Sequence, residues 1–146
     1  MSRSRLDVQL CVVNMTTRQY GPHPTSDLLG VDYLRTYPPD TEFPRTVDQL
    51  DVFVRFFVAE MNPTRIAVRV WHLHPDGSRR ERVNEHRFVV PFHPDEVFRE
   101  HVFRLKNVRI PGEGTYAVQV CRRSRHNWKG FGLRVLGTDY FHVVRS

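Results

Sequence analysis

The residues Arg122, Arg123, Ser124, Arg125, His126, Asn127, Trp128, Lys129, Gly130 and Phe131 interleave cations with aromatic rings along one short segment. Guanidinium forks match phosphate and carboxylate oxygens, and an indole stacks on a base or on another ring, so the composition suits an anionic ligand or a nucleic acid. Arg122, Arg123, Arg125, Trp128 and Lys129 are therefore the candidate binding residues. A second basic run, Ser78 to Arg82, sits beside a turn signal. The competing reading is a solvated loop between strands, with Trp128 folded back onto the core.

His72 and His74 fall two residues apart, which on a strand directs both imidazoles to one side. Such a pair begins many strand-borne metal sites, and Glu81, His86, His93 or His101 are conceivable completions. A metal-dependent, cupin-like enzyme centred on this pair would need glycine-led motifs that the chain lacks, and the plainer reading is two hairpin-end residues beside Pro75. Nucleophilic catalysis has less to build on: there is no Gly-x-Ser-x-Gly elbow, and Cys11 and Cys121 lie on strands without a positioned base. Glu60, Glu81, Glu85 and Glu100 are scattered, with nothing to select two of them as an acid/base pair. No cofactor is expected.

The elements that carry these residues read as strands. A tight turn at Pro111 to Gly114 feeds a stretch in which Tyr116, Val118 and Val120 alternate with Ala117, Gln119 and Cys121. An earlier strand runs from about Arg5 to Val13, with Leu6, Val8, Leu10 and Val12 on one face and Cys11 on the other. Leu50 to Ala59 alternates most regularly, and Phe53 and Phe57 add apolar mass to its second face, as in a strand covered on both sides. Thr64 to His74 and Arg79 to Val90 flank Pro75, Asp76 and Gly77 and predict a hairpin. Further strands are expected at Leu28 to Tyr37 and from about Val97 to Leu105, after which Val108 and Ile110 approach the glycine turn. Phe131 to Leu136 and Tyr140 to Val144 form either one bulged strand or a short hairpin. No helical period is sustained and no internal repeat occurs, so the expected fold is all-β, a single immunoglobulin-like antiparallel sandwich of about seven to nine strands across residues 1–146.

An early Leu-Cys strand, the Leu-Leu-Gly-Val segment at Leu28 to Val31, the Pro-Asp-Gly hairpin, Phe103 to Asn107, and the Pro-Gly-Glu-Gly-Thr-Tyr run follow one another in this order. That succession resembles a family of small, uncharacterised bacterial sandwich domains of immunoglobulin-like architecture. The resemblance implies the fold and supplies no activity, cofactor or catalytic residue. The long segment at residues 14–27 and the Arg-rich insert near residue 125 depart from the family pattern.

Composition narrows the partners. The net charge of +6 is carried by arginine, with Lys106 and Lys129 the only lysines, a bias that codon usage in a GC-rich genome produces without selection for phosphate. No apolar run is long enough to span a membrane, and the N-terminal residues lack the apolar centre of an export signal. Two cysteines out of phase with the inner faces argue against a disulfide, so a reducing, cytoplasmic setting is expected. Phe53, Phe57, Trp71, Leu73 and Phe88 place surplus apolar mass on strands whose other phase is also apolar, which a partner, a second copy or an internal cover would absorb. The expected function is a non-catalytic binding or structural module for a protein partner or homo-oligomer, with nucleic acid as the alternative and no membrane.

Overall fold

The computed structural model describes residues 6–14, 34–58, 64–91, 98–123 and 133–146, with 6–14 described by backbone alone. Eight strands carry the described chain: β1 Leu6–Asn14, β2 Leu34–Tyr37, β3 Arg45–Val58, β4 Thr64–Leu73, β5 Arg79–Val90, β6 Phe98–Ile110, β7 Gly114–Arg123 and β8 Leu133–Arg145. They form a three-stranded sheet in the order β1-β3-β6 and a five-stranded sheet in the order β2-β8-β7-β4-β5. This is the expected all-β, immunoglobulin-like sandwich, with one departure. The edge strand β2 runs parallel to β8, whereas the other pairings among the described residues are antiparallel.

Alternation produces the core. Leu50, Val52, Val54 and Phe56 of β3 with Phe103, Leu105, Val108 and Ile110 of β6 line one inner face. Ile66, Val68 and Val70 of β4, Val90 of β5, Tyr116, Val118 and Val120 of β7, and Phe141 and Val143 of β8 line the other. Burying each such aliphatic or aromatic side chain contributes about 1.5–3 kcal/mol, enough to make the inner phase the determinant of register in β3, β4, β6 and β7.

Two irregularities could not be read from alternation. Between Leu105 and Val108 the inward phase of β6 shifts by three residues, with Asn107 in the left-handed region (φ 56°) between them. The phase of β3 shifts at the same level, between Leu50 and the half-buried Val47, so the pairing stays in register and β6 runs on through Ile110, beyond the expected end at Leu105. In β1 a bulge between Val8 and Leu10 reverses the expected phase: Cys11 stands opposite inward-facing Val54, while Leu10 and Val12 stand opposite outward-facing Arg55 and Phe53. Period-two reasoning assumes an unbroken ladder, and a single extra residue transfers everything beyond it to the other face.

The predicted β4/β5 hairpin is present. Gly77 occupies a positive φ of 88°, the Gly77 amide donates to the His74 carbonyl, and Asp76 Oδ1 accepts from both the amide and the hydroxyl of Ser78. The two last apolar stretches are one strand, β8, bulged opposite Val120 and Cys121. β2 covers only the end of the expected Leu28 to Tyr37 strand; residues 28–33 lie outside the described chain.

At the β6/β7 corner, the Tyr116 hydroxyl donates to the Gly112 carbonyl at 2.5 Å and accepts from the Gly112 amide at 3.3 Å. A tyrosine at the start of this strand that bonds back a few residues is the corner device of immunoglobulin-like sandwiches. Burial pushes its pKa up to about 12, against the lowering effect of the Gly112 bond. Its ring stacks between His72 and Phe141, with centroids 4.6 and 4.9 Å away and planes within 10° and 4° of parallel.

Candidate functional site

The side chains that gather into a chemically coherent set stand on the outer wall of the five-stranded sheet. In β4 the inward residues Ile66, Val68 and Val70 leave Ala67, Arg69 and Trp71 pointing out; in β7 Tyr116, Val118 and Val120 leave Ala117, Gln119 and Cys121. Register then aligns rows across the wall. Arg69 lies opposite Glu85 on β5 and Gln119 on β7, Trp71 opposite Arg82 and Ala117, and Ala67 opposite Arg87 and Cys121.

Glu85 is the hub. It is largely buried and accepts a 2.6 Å hydrogen bond from Arg69 Nε, while Arg82 Nη1 stands 3.7 Å and Arg87 Nη2 3.4 Å from its oxygens. Burial alone would raise the pKa of this carboxyl. The Arg69 bond and the charges of Arg69, Arg82 and Arg87 together outweigh burial and hold it below the ordinary carboxylate range. Beside the hub, the Arg79 guanidinium lies 4.7 Å over the Trp71 ring, and Trp71 Nε1 donates to Gln119 Oε1 at 3.1 Å. Arg79 Nη2 reaches the same oxygen at 3.4 Å. Three guanidiniums thus share one carboxylate with a fourth, Arg79, beside them, and Arg79, Arg82 and Arg87 are open to solvent.

Cys121 sits on this wall fully buried and as a free thiol. Burial pushes its pKa up and the nearby Arg69 and Arg79 charges only partly oppose it, the reverse of what a reactive thiolate needs.

The sequence-derived binding residues are divided by the fold. Arg123 lies on the outward phase at the end of β7, continuing Ala117, Gln119 and Cys121, whereas Arg122 pairs with inward-facing Ile66. Arg125, Trp128 and Lys129 lie outside the described residues. The second basic run did contribute, since its Arg79 and Arg82 belong to the wall. Arg69, Arg87 and Gln119 were missed, and Glu85 was named only among the scattered carboxylates. Their signal was a polar residue at the outward places 69, 85, 87 and 119, legible only once β4, β5 and β7 are known to lie side by side.

The histidine pair does not face one ligand. His72 is buried on the inward phase, stacked on Tyr116, with Nε2 3.1 Å from the Glu113 carbonyl, while His74 is exposed in the turn beyond the end of β4. Of the suggested completions, His86 stacks on Phe88 and His101 packs at 4.5 Å on Phe103; burial lowers the pKa of both, with Arg99 adding to the effect at His101. His93 lies outside the described residues. Among the described residues no group of three His, Cys, Asp or Glu side chains converges as a metal set would. The carboxylates are likewise dispersed, with Glu100 bound to Arg55 at 2.6 Å and Glu81 3.8 Å from Arg109.

The surplus apolar mass is mostly buried. Phe53 and Leu73 are buried, and Phe88 is on the inward phase of β5 against Phe103, correcting its expected outward placement. Phe57 packs edge-on against half-exposed Phe98 on the opposite wall. Tyr37 packs on Phe43 between Arg35 and Arg45.

No protein-family model and no curated protein sequence matches the chain. Among solved structures, it is similar over 97% of its length to 30% of the alkylpurine DNA glycosylase AlkC of Pseudomonas fluorescens bound to DNA containing an abasic site analog, at 8% identity and a TM-score of 0.47. It is similar over 98% of its length to 96% of a CARDB domain from Pyrococcus furiosus in complex with di-metal ions, at 12% identity and a TM-score of 0.43. A third similarity covers 98% of this chain and 19% of a β-D-glucoside glucohydrolase of Trichoderma reesei, at 10% identity and a TM-score of 0.41. These likenesses carry no argument about ligand or reaction. Among the described residues no helix is long and apolar enough to cross a membrane.

Proposed function

We propose that the protein is a non-catalytic binding module that recognises an anionic macromolecule through the outer wall of β4, β5 and β7. The observation that carries this reading is the shared carboxylate: Arg69 occupies Glu85 at 2.6 Å, and Arg82 and Arg87 stand beside the same group with side chains 45% and 62% exposed. A guanidinium has five donors in a planar fork, and one carboxylate cannot satisfy three forks, so the wall presents unsatisfied donors and concentrated positive charge to an incoming anion. The expected role in protein interaction or assembly takes a specific form here, a partner with acidic or phosphorylated groups. A second copy docked wall to wall would set like charges against one another, which favours a partner of different composition.

The test is elution from immobilised heparin, a sulfated polyanion, over a salt gradient. The triple variant R79Q/R82Q/R87Q is compared with R35Q/K106Q/R109Q, which removes the same charge from exposed positions elsewhere. The reading predicts that the wall variant elutes at clearly lower salt than the charge-matched control. Equal elution of the two overturns it, because the attraction would then follow net charge alone.

A further inference from the structure

The row of wall residues that begins at Arg82 continues through Trp71 and Ala117 to Tyr140 on β8, whose ring is half exposed. Strands lie about 4.8 Å apart, so Tyr140 stands roughly 10 Å from Trp71, with the small, buried Ala117 between them. An open aromatic face therefore shares one transverse line with the guanidinium cluster. Trp71 itself is committed, its ring beneath Arg79 and its indole N–H on Gln119.

We infer that the wall takes a single-stranded nucleic acid, with phosphates on Arg79, Arg82 and Arg87 and a base stacked on Tyr140. The inference rests on the anion-binding reading above and narrows it to one partner. Three observations favour this partner. A duplex is read by a helix or ribbon inserted into a groove, and the described wall is a sheet face carrying neither. An acidic protein surface would call for apolar anchors at the centre of the contact, and the centre here is Glu85 with its guanidiniums. A single strand needs a cationic track beside an open ring on which a base can stack, which is what Arg79, Arg82 and Arg87 with Tyr140 supply.

Fluorescence anisotropy on the full chain tests the inference with a labelled oligodeoxythymidine, a labelled DNA duplex, and polyglutamate as competitor. Tighter binding of the single strand than of the duplex is expected, with polyglutamate a poor competitor. Tyr140→Ala should weaken single-strand binding about tenfold, the loss of one stacked base, and Tyr140→Phe should restore it. R79Q/R82Q/R87Q should reduce the magnitude of the log-log salt slope by about 2, since each phosphate contact on a single strand contributes about 0.7. The inference is overturned if the duplex or polyglutamate binds as well as the single strand, or if Tyr140→Ala changes nothing. Heparin elution separates this failure from that of the underlying reading: it should be unaffected by Tyr140→Ala and still depend on the wall arginines.

Discussion

Arg69 and Glu85 face each other across β4 and β5 and close a 2.6 Å hydrogen bond, so the most enclosed guanidinium on the wall is also the one whose charge is matched. The Arg69–Glu85 pair fixes the hub, while Arg82 and Arg87 stand around it with charge to spare. Glu85→Gln therefore has two effects of opposite sign. It should lower unfolding stability by about 1–3 kcal/mol in urea titration, because Arg69 loses its partner, and it should raise the salt needed to elute the folded protein from heparin. A fall in both quantities would show that Glu85 organises the arginines more than it neutralises them.

Tyr116→Phe removes the hydroxyl that donates to the Gly112 carbonyl and leaves the ring stack with His72 and Phe141 in place. The Gly112 carbonyl is left without this donor. Urea unfolding should show a loss of about 1–2 kcal/mol with little change in m, whereas an unchanged midpoint would mean that the corner bond adds nothing net.

Gly114 opens β7 at φ 134°, and a Cβ there would stand 3.0 Å from His72 Nε2. His72 is wedged by its stack on Tyr116 and cannot easily retreat. Gly114→Ala should destabilise the fold by about 1–3 kcal/mol, through the strained backbone and the displaced ring together. Thermal denaturation checks this: a Tm equal to that of the natural sequence would remove both causes.

The architecture was largely legible because its determinants are local. Proline and glycine turns at Pro75 to Gly77 and at Pro111 to Gly114, with period-two aliphatics between them, are enough to place most strands. The bulge near Gln9 was not legible, since an inserted place looks like any other residue in a pattern of Val and Leu. The wall was half legible. Arg79 and Arg82 were visible as a basic run, but Arg69 and Gln119 come from strands far apart in sequence, and nothing local records that β4 lies between β5 and β7.

His86 and His101 provide a pH dependence with a definite sign. Burial lowers both pKa values from the ordinary 6.5, so below that pH the unfolded chain binds more protons than the folded one. Their stabilising contribution is complete above pH 6.5 and is lost as pH falls through the depressed folded values. Unfolding free energies measured by urea between pH 7.5 and pH 5 should decline toward acid, and the double variant H86Q/H101Q should flatten that decline; an equally steep variant would assign the effect to other groups.

Amide chemical shifts recorded during titration with inorganic polyphosphate would locate the anion on the fold residue by residue. Recognition by the wall predicts perturbations concentrated on Arg69 to Trp71, Arg79 to Arg87 and Ala117 to Gln119, and their loss in R79Q/R82Q/R87Q. Perturbations centred instead on Lys106 and Arg109, or none at saturating polyphosphate, would contradict it.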